Sequence, residues 1–145
     1  MLIRAAAPED YARVNDVIDE WWGGRQMAAM LPKLFFVHFA DTSFVAEDGD
    51  GLAGFLVGFR SQTFDDEAYV HFVGVDPGRR GSGLGRALYE RFFAAVAPRT
   101  TIRAVTSPVN ERSVAFHRAL GFDVERVDES YDGRGEARVL LVKRL

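Results

Sequence analysis

Apolar positions follow two periods along the chain, and the clearest change of period falls near its middle. Tyr69 to Val75 is rich in aromatic and β-branched residues and predicts a strand. Asp76-Pro77-Gly78 stops it. From Leu84 onward, Leu84, Ala87, Leu88, Phe92, Ala95 and Val96 recur at helical spacing and form one apolar stripe. Strand, glycine-rich turn and helix therefore follow one another, with Gly78, Gly81, Gly83 and Gly85 and the arginines Arg79, Arg80 and Arg86 around the turn.

The rest of the chain is organised around that unit. Leu2 to Ala6 predicts a short first strand. Pro8 suits the first turn of a helix, where Glu9 and Asp10 meet its positive end. Tyr11, Val14, Val17, Ile18 and Trp21 or Trp22 continue that helix until Gly23-Gly24 ends it. Met27 to Leu31 predicts a short turn or helix, and Pro32 opens a second helix through Phe35, Phe36 and Phe39. Ser43 to Glu47 and Gly51 to Phe59 read as strands joined by a hairpin turn. Thr101 to Val105 is the next strand, expected to run parallel to Tyr69–Val75 because a whole helix connects them. Asn110 stands where it would cap the following helix. Phe122 to Val127 and Glu136 to Val142 read as a closing hairpin. The expected fold is α/β (α+β): a mixed, mostly antiparallel sheet of about seven strands with four helices and a central parallel pair, in one domain spanning residues 1–145.

Composition narrows the chemistry. A chain of 145 residues can bury about two-thirds of its unfolded surface and needs no staple. It has no cysteine, so disulfides, zinc–cysteine sites and cysteine nucleophiles are excluded, in keeping with a reducing cytoplasm. His38, His71 and His117 lack ligand spacing, and no metal is expected. No signal-peptide core and no membrane-length apolar run is found. A net charge of −3 argues against nucleic acid as the main partner.

The glycine turn carries the strongest chemical signal. Residues without a Cβ let backbone N–H groups approach a ligand, and the first N–H groups of the helix lack internal partners at the positive end of its dipole. That arrangement suits a phosphate or diphosphate, with arginines as charge-assisted donors; a plain turn with solvated arginines is the alternative. A nucleotide P-loop would need Gly-Lys-Ser/Thr, where Gly85-Arg86-Ala87 stands. A dinucleotide fingerprint would need a third glycine three residues after the second, where Arg86 or Leu88 stands instead.

Arg80-Gly81-Ser82-Gly83-Leu84-Gly85, preceded by Val73-Gly74-Val75-Asp76-Pro77, resembles the acetyl-coenzyme A signature of the GCN5-related N-acetyltransferase (GNAT) superfamily. Asn110 to Phe122, with Ser113, Phe116, His117 and Gly121 in place, is similar to that family's next segment. The resemblance covers essentially the whole chain, although the residues before the central strand match only as a pattern of elements. It implies an acetyl-CoA-dependent N-acetyltransferase that moves an acetyl group to a primary amine of a small molecule or peptide by direct attack in a ternary complex. A non-catalytic acyl-CoA-binding or sensory domain of the same fold is the alternative. It further implies that Arg80, Gly81, Ser82, Gly83, Leu84, Gly85 and Arg86 surround the diphosphate and that Val73, Gly74 and Val75 meet the pantetheine through main-chain groups. Asn110, Ser113 and Phe116 would also lie near the cofactor; for Asn110 a helix cap is an equal reading. Members are often dimers, so a homodimer is the assembly to test.

Catalytic candidates follow from the chemistry. The leaving thiolate can take a proton, and the family often has tyrosine where His117 stands. A thiol titrates near ~8.5 and an imidazole near ~6.5, so a histidinium could protonate the thiolate, while a neutral ring could only hydrogen-bond the sulfur. Tyr69, His71 and Val73 share one strand face by alternation. Some relatives carry a glutamate early on this strand; here Glu67 would have to act through water, and His71 is the better local base. Tyr11 and Tyr131 are spare phenols. Trp21, Trp22, Phe35, Phe36 and Tyr131 either line an acceptor site or belong to the core, and Asp65, Asp66 and Glu67 either attract a cationic amine or form a solvated loop.

Overall fold

The predicted periods become seven strands and four helices in the computed structural model, which describes residues 1–145. In chain order these are β1 (Leu2–Ala5), α1 (Asp10–Trp21), α2 (Leu34–Val37), β2 (Phe44–Asp48), β3 (Gly51–Arg60), β4 (Glu67–Val75), α3 (Leu84–Val96), β5 (Thr101–Thr106), α4 (Glu111–Ala119), β6 (Asp123–Asp128) and β7 (Arg138–Arg144). The strands are hydrogen-bonded in the order β1-β2-β3-β4-β5-β7-β6. β4 and β5 run parallel, from Glu67 opposite Thr101 to Val70 opposite Ala104. The β1–β2, β2–β3, β5–β7 and β6–β7 pairs are antiparallel. The mixed, mostly antiparallel sheet with a parallel pair is therefore the fold that forms.

Two compact units divide the chain: Met1–Phe59 with His71–Ala97, and Arg60–Val70 with Pro98–Leu145. The first unit holds β1 to β3, the last residues of β4, and α1 to α3. Its core includes Val14, Ile18, Phe36, Val45, Phe55 and Val57, all fully buried, with Leu88, Tyr89, Phe92 and Val96 supplied by the stripe of α3. Glycine is required twice in this packing. A Cβ on Gly74 would lie 2.7 Å from Phe55 Cε1 and 2.8 Å from Trp22 Cζ3. A Cβ on Gly54 would lie 3.0 Å from the Gly74 carbonyl oxygen and 3.2 Å from Leu84 and Leu88 side-chain atoms.

An ion-pair network fastens the start of this unit. Arg4 forks onto both carboxylate oxygens of Asp10 at 2.8 Å and reaches Glu47 at 2.8 Å, while Arg13 reaches Glu47 at 3.0 Å. Asp10 is buried, and its carboxylate also accepts the Ala7 N–H at 2.8 Å. This turn explains why α1 begins at Asp10, two residues later than Pro8 suggests.

The second unit holds the first residues of β4 with β5, β6, β7 and α4, around buried Ala68, Val70, Ile102, Ala104, Phe122 and Leu141. Arg99 Nη1 donates to the carbonyls of Ser61, Phe64 and Glu67 at 2.8 to 3.0 Å and closes the loop before β4.

Besides the start of α1, the larger departures from expectation lie in α2, β4 and the closing hairpin. The helix expected from Pro32 through Phe39 is regular only over Leu34–Val37, between 3-10 turns at Ala28–Met30 and Ala40–Thr42. Its aromatic and β-branched residues are poor helix formers, and the burial of Phe35 and Phe36 sets the path of the chain. β4 begins at Glu67, because the ladder with Thr101 and Ile102 extends it. The closing hairpin is shifted to Asp123–Asp128 and Arg138–Arg144, since β7 pairs on both sides.

Two outcomes follow for stability. Gly74→Ala forces an aromatic ring aside and should cost about 1–3 kcal/mol, read as a lower midpoint in urea unfolding. The Arg4 guanidinium holds the Asp10 carboxyl below the usual carboxylate range, against the opposing effect of burial. A depressed carboxylate stabilises the fold above its unfolded value near ~4 and loses that contribution as pH falls toward its folded value. Asp10→Asn should therefore lower stability at pH ~7 by about 2 kcal/mol and weaken the acid dependence, as measured by unfolding across pH 2–7.

Candidate functional site

The glycine turn lies wholly in the first unit, and its own side chains build it. Asp76 accepts the Gly78 N–H at 3.0 Å, and the Asp76 N–H donates to the Ala53 carbonyl at 2.9 Å. Arg79 pairs with Asp48 of β2 at 3.0 Å and lies 3.8 Å from Asp76. Arg80 donates to the Trp21 carbonyl at the end of α1 at 2.8 Å. The Ser82 hydroxyl donates to the Arg79 carbonyl at 2.6 Å. Arg79 and Arg80, which the sequence offers as phosphate donors, thus also anchor the turn to the body of the unit.

That anchoring leaves a run of main-chain donors. Gly81 and Gly83 take φ of +81° and +84°, a region that L side chains rarely adopt. Gly83 caps α3, and the first helical hydrogen bond runs from the Ala87 N–H to the Gly83 carbonyl at 3.0 Å. The N–H groups of Gly81, Ser82, Gly83, Leu84 and Gly85 donate to no acceptor within the chain. A Cβ on Gly81 or Gly83 would meet nothing within 4 Å, so open space adjoins both residues on that side. The positive end of the α3 dipole lies in the same place. A multiply charged oxyanion is the ligand such donors suit.

β4 leads into this turn. Gly74 is buried, while Val73 and Val75 are half-buried on alternate positions with His71. His71 Nε2 lies 2.6 Å from the Met30 carbonyl oxygen. Its ring stacks on Phe35 with centroids 4.9 Å apart at 12°, and Phe72 lies 4.6 Å away on the other contact. Trp21, Phe35 and Phe36 are core residues, which resolves their double reading; Trp22 is half-buried against Phe72 and Phe55.

Tyr11 lies in the first unit with its ring edge against Phe36, and the other candidates lie in the second unit. Asn110 Oδ1 accepts the Ser113 N–H at 3.1 Å, so the cap expected from sequence is present. His117 is 4 % exposed, with the edges of Phe116 and Phe122 against it, and its Nδ1 donates to the Ser113 carbonyl at 2.8 Å. Burial pushes its pKa below the usual imidazole value, more than the Ser113 carbonyl raises it. Nδ1 therefore carries a proton, and burial favours the neutral form of the ring. Burial, with Tyr131 and Asp132 nearby, pushes the Tyr69 phenol up and keeps it protonated, although Arg138 acts in the other direction. Glu67 is bound to Arg103 at 2.8 Å. Nothing in the sequence pointed to the Met30 carbonyl, because any residue type can supply one.

Comparison with known proteins agrees with this geometry. Residues 6–122 match the Acetyltransferase (GNAT) family. An L-2,4-diaminobutyric acid acetyltransferase from Nocardia farcinica is 34% identical over 84 residues, which is 57% of this chain and 44% of that protein. The chain thus matches less than half the length of that relative. Ard1 from Thermoplasma volcanium superposes with a TM-score of 0.82 at 19% identity, covering 99% of this chain and 97% of that one. The diaminobutyrate acetyltransferase EctA from Paenibacillus lautus, solved with L-2,4-diaminobutyric acid and coenzyme A, superposes at 0.74 with 20% identity, covering 99% and 94%. With the motif, the sheet and the family match in agreement over most of its length, the chain belongs to the GNAT acetyltransferase family.

Proposed function

We propose that this protein is an acetyl-CoA-dependent N-acetyltransferase acting on a primary amine of a small molecule or peptide. The observation that carries the reading is the run of unpartnered amides from Gly81 to Gly85 at the head of α3. Main-chain donors at a helix N-terminus can hold a diphosphate without any metal. Arg80 and Arg86 add positive charge beside them in a chain whose net charge is −3. A diphosphate held there directs the pantetheine arm back along β4, where Val73, Gly74 and Val75 offer main-chain groups.

Transfer then needs little covalent help from the protein. Holding the thioester and the amine together supplies much of the rate by orientation alone. The amine nitrogen attacks the thioester carbonyl carbon, and the tetrahedral adduct expels the thiolate. The relatives named for diaminobutyrate acetylation support an acceptor of this kind. We extend the reading to a cytoplasmic location, in keeping with a chain that has no cysteine, and to a homodimer.

Titration calorimetry of the cofactor-free protein with acetyl-CoA checks the central step. Binding is expected for the native chain. Gly83→Val should weaken it at least about tenfold, because a β-branched residue strains the left-handed conformation and obstructs the amides. No protein atom lies within 4 Å of the new Cβ, so the variant should stay folded by thermal unfolding. Folded native protein that binds no acetyl-CoA would overturn the proposal.

A further inference from the structure

We infer that His71 is the base that removes the proton from the attacking amine, poised by the Met30 carbonyl; this rests on the acetyl-transfer reading above. A carbonyl oxygen can only accept, so the 2.6 Å contact exists only if Nε2 carries the hydrogen. In the neutral imidazole the lone pair then belongs to Nδ1. That atom has no partner in the chain: every other contact of His71 is a ring contact, with Phe35 and Phe72. The stack on Phe35 fixes the plane of the ring, and the Met30 bond fixes its rotation within that plane. Its hydrogen-bond and ring partners, the Met30 carbonyl, Phe35 and Phe72, are all uncharged, and no carboxylate or cation pairs with it.

The alternatives on this strand are committed elsewhere. Tyr69 keeps its phenol proton, and Glu67 is bound to Arg103. His71 also lies on the strand that leads into the anion-binding amides. It is four residues upstream of Val75, roughly 13 Å at the rise of an extended strand.

The proton balance is complete without a co-reactant. The neutral amine attacks, a C–N bond forms, and the nitrogen of the adduct becomes cationic. His71 Nδ1 takes that proton. The oxyanion's electron pair returns to carbon, the C–S bond breaks, and the thiolate leaves with the bonding pair. The imidazolium then returns its proton through solvent to the thiolate, giving amide and free thiol.

His71→Gln separates a base from a merely structural residue, since a glutamine amide can still donate to the Met30 carbonyl but has no basic nitrogen. The readout is thiol release from acetyl-CoA with L-2,4-diaminobutyrate and a panel of other primary amines, from pH 6 to 10. The variant should lose about a hundredfold or more in kcat near neutral pH, keep its acetyl-CoA affinity, and lose the acid limb of the native pH profile. Nitrogen NMR of histidine-labelled native protein should show neutral His71 protonated on Nε2, whether or not the variant folds. An Nδ1-protonated ring, or a folded variant with native kcat and an unchanged profile, overturns the base while leaving the transferase intact. Acetyl-CoA binding with no turnover of any amine overturns the transfer reading and the base with it.

Discussion

Two missing methyl groups let the first unit close. At Gly74 the faces of Phe55 and Trp22 come so near that even one carbon would collide, and at Gly54 the carbonyl of Gly74 and two leucines of α3 occupy the same space. Interiors are packed as densely as organic crystals, so such a contact cannot be relieved by a general loosening. The close approach of β3, β4, α1 and α3 puts the glycine turn where Arg79 can reach Asp48 and Arg80 can reach the end of α1. Those ties hold the turn while its amides stay without an acceptor in the protein.

Local patterns carried the turn, the helix after it and the cap at Asn110 into view, because each is decided by residues within a few positions of one another. The second helix was less legible. Between Pro32 and Phe39 the apolar spacing suits a helix, yet burial of Phe35 and Phe36 limits it to Leu34–Val37. The arginines were half legible. Their charge pointed to an anion, but Arg79 finds Asp48 and Arg80 finds Trp21, partners 31 and 59 positions away that no short window can pair. The Met30 carbonyl was not legible at all, since a main-chain acceptor leaves no mark on residue type.

The histidines show how much surroundings matter for one side-chain type. His117 sits among aromatic edges and donates from Nδ1 to its own helix backbone one turn earlier, as a buried neutral ring. His71 donates from Nε2 across the fold to a distant segment. The same imidazole thus donates to a main-chain carbonyl from opposite ring nitrogens in the two places.

The assignment of β4 to both compact units has an evolutionary consequence. Residues 60–70 interrupt the first unit in sequence and belong to the second, so neither unit is one continuous segment. A single crossover cannot part the two units intact, because at every position at least one of them is divided. Exchange of either unit as one continuous segment is therefore ruled out by the order of the chain.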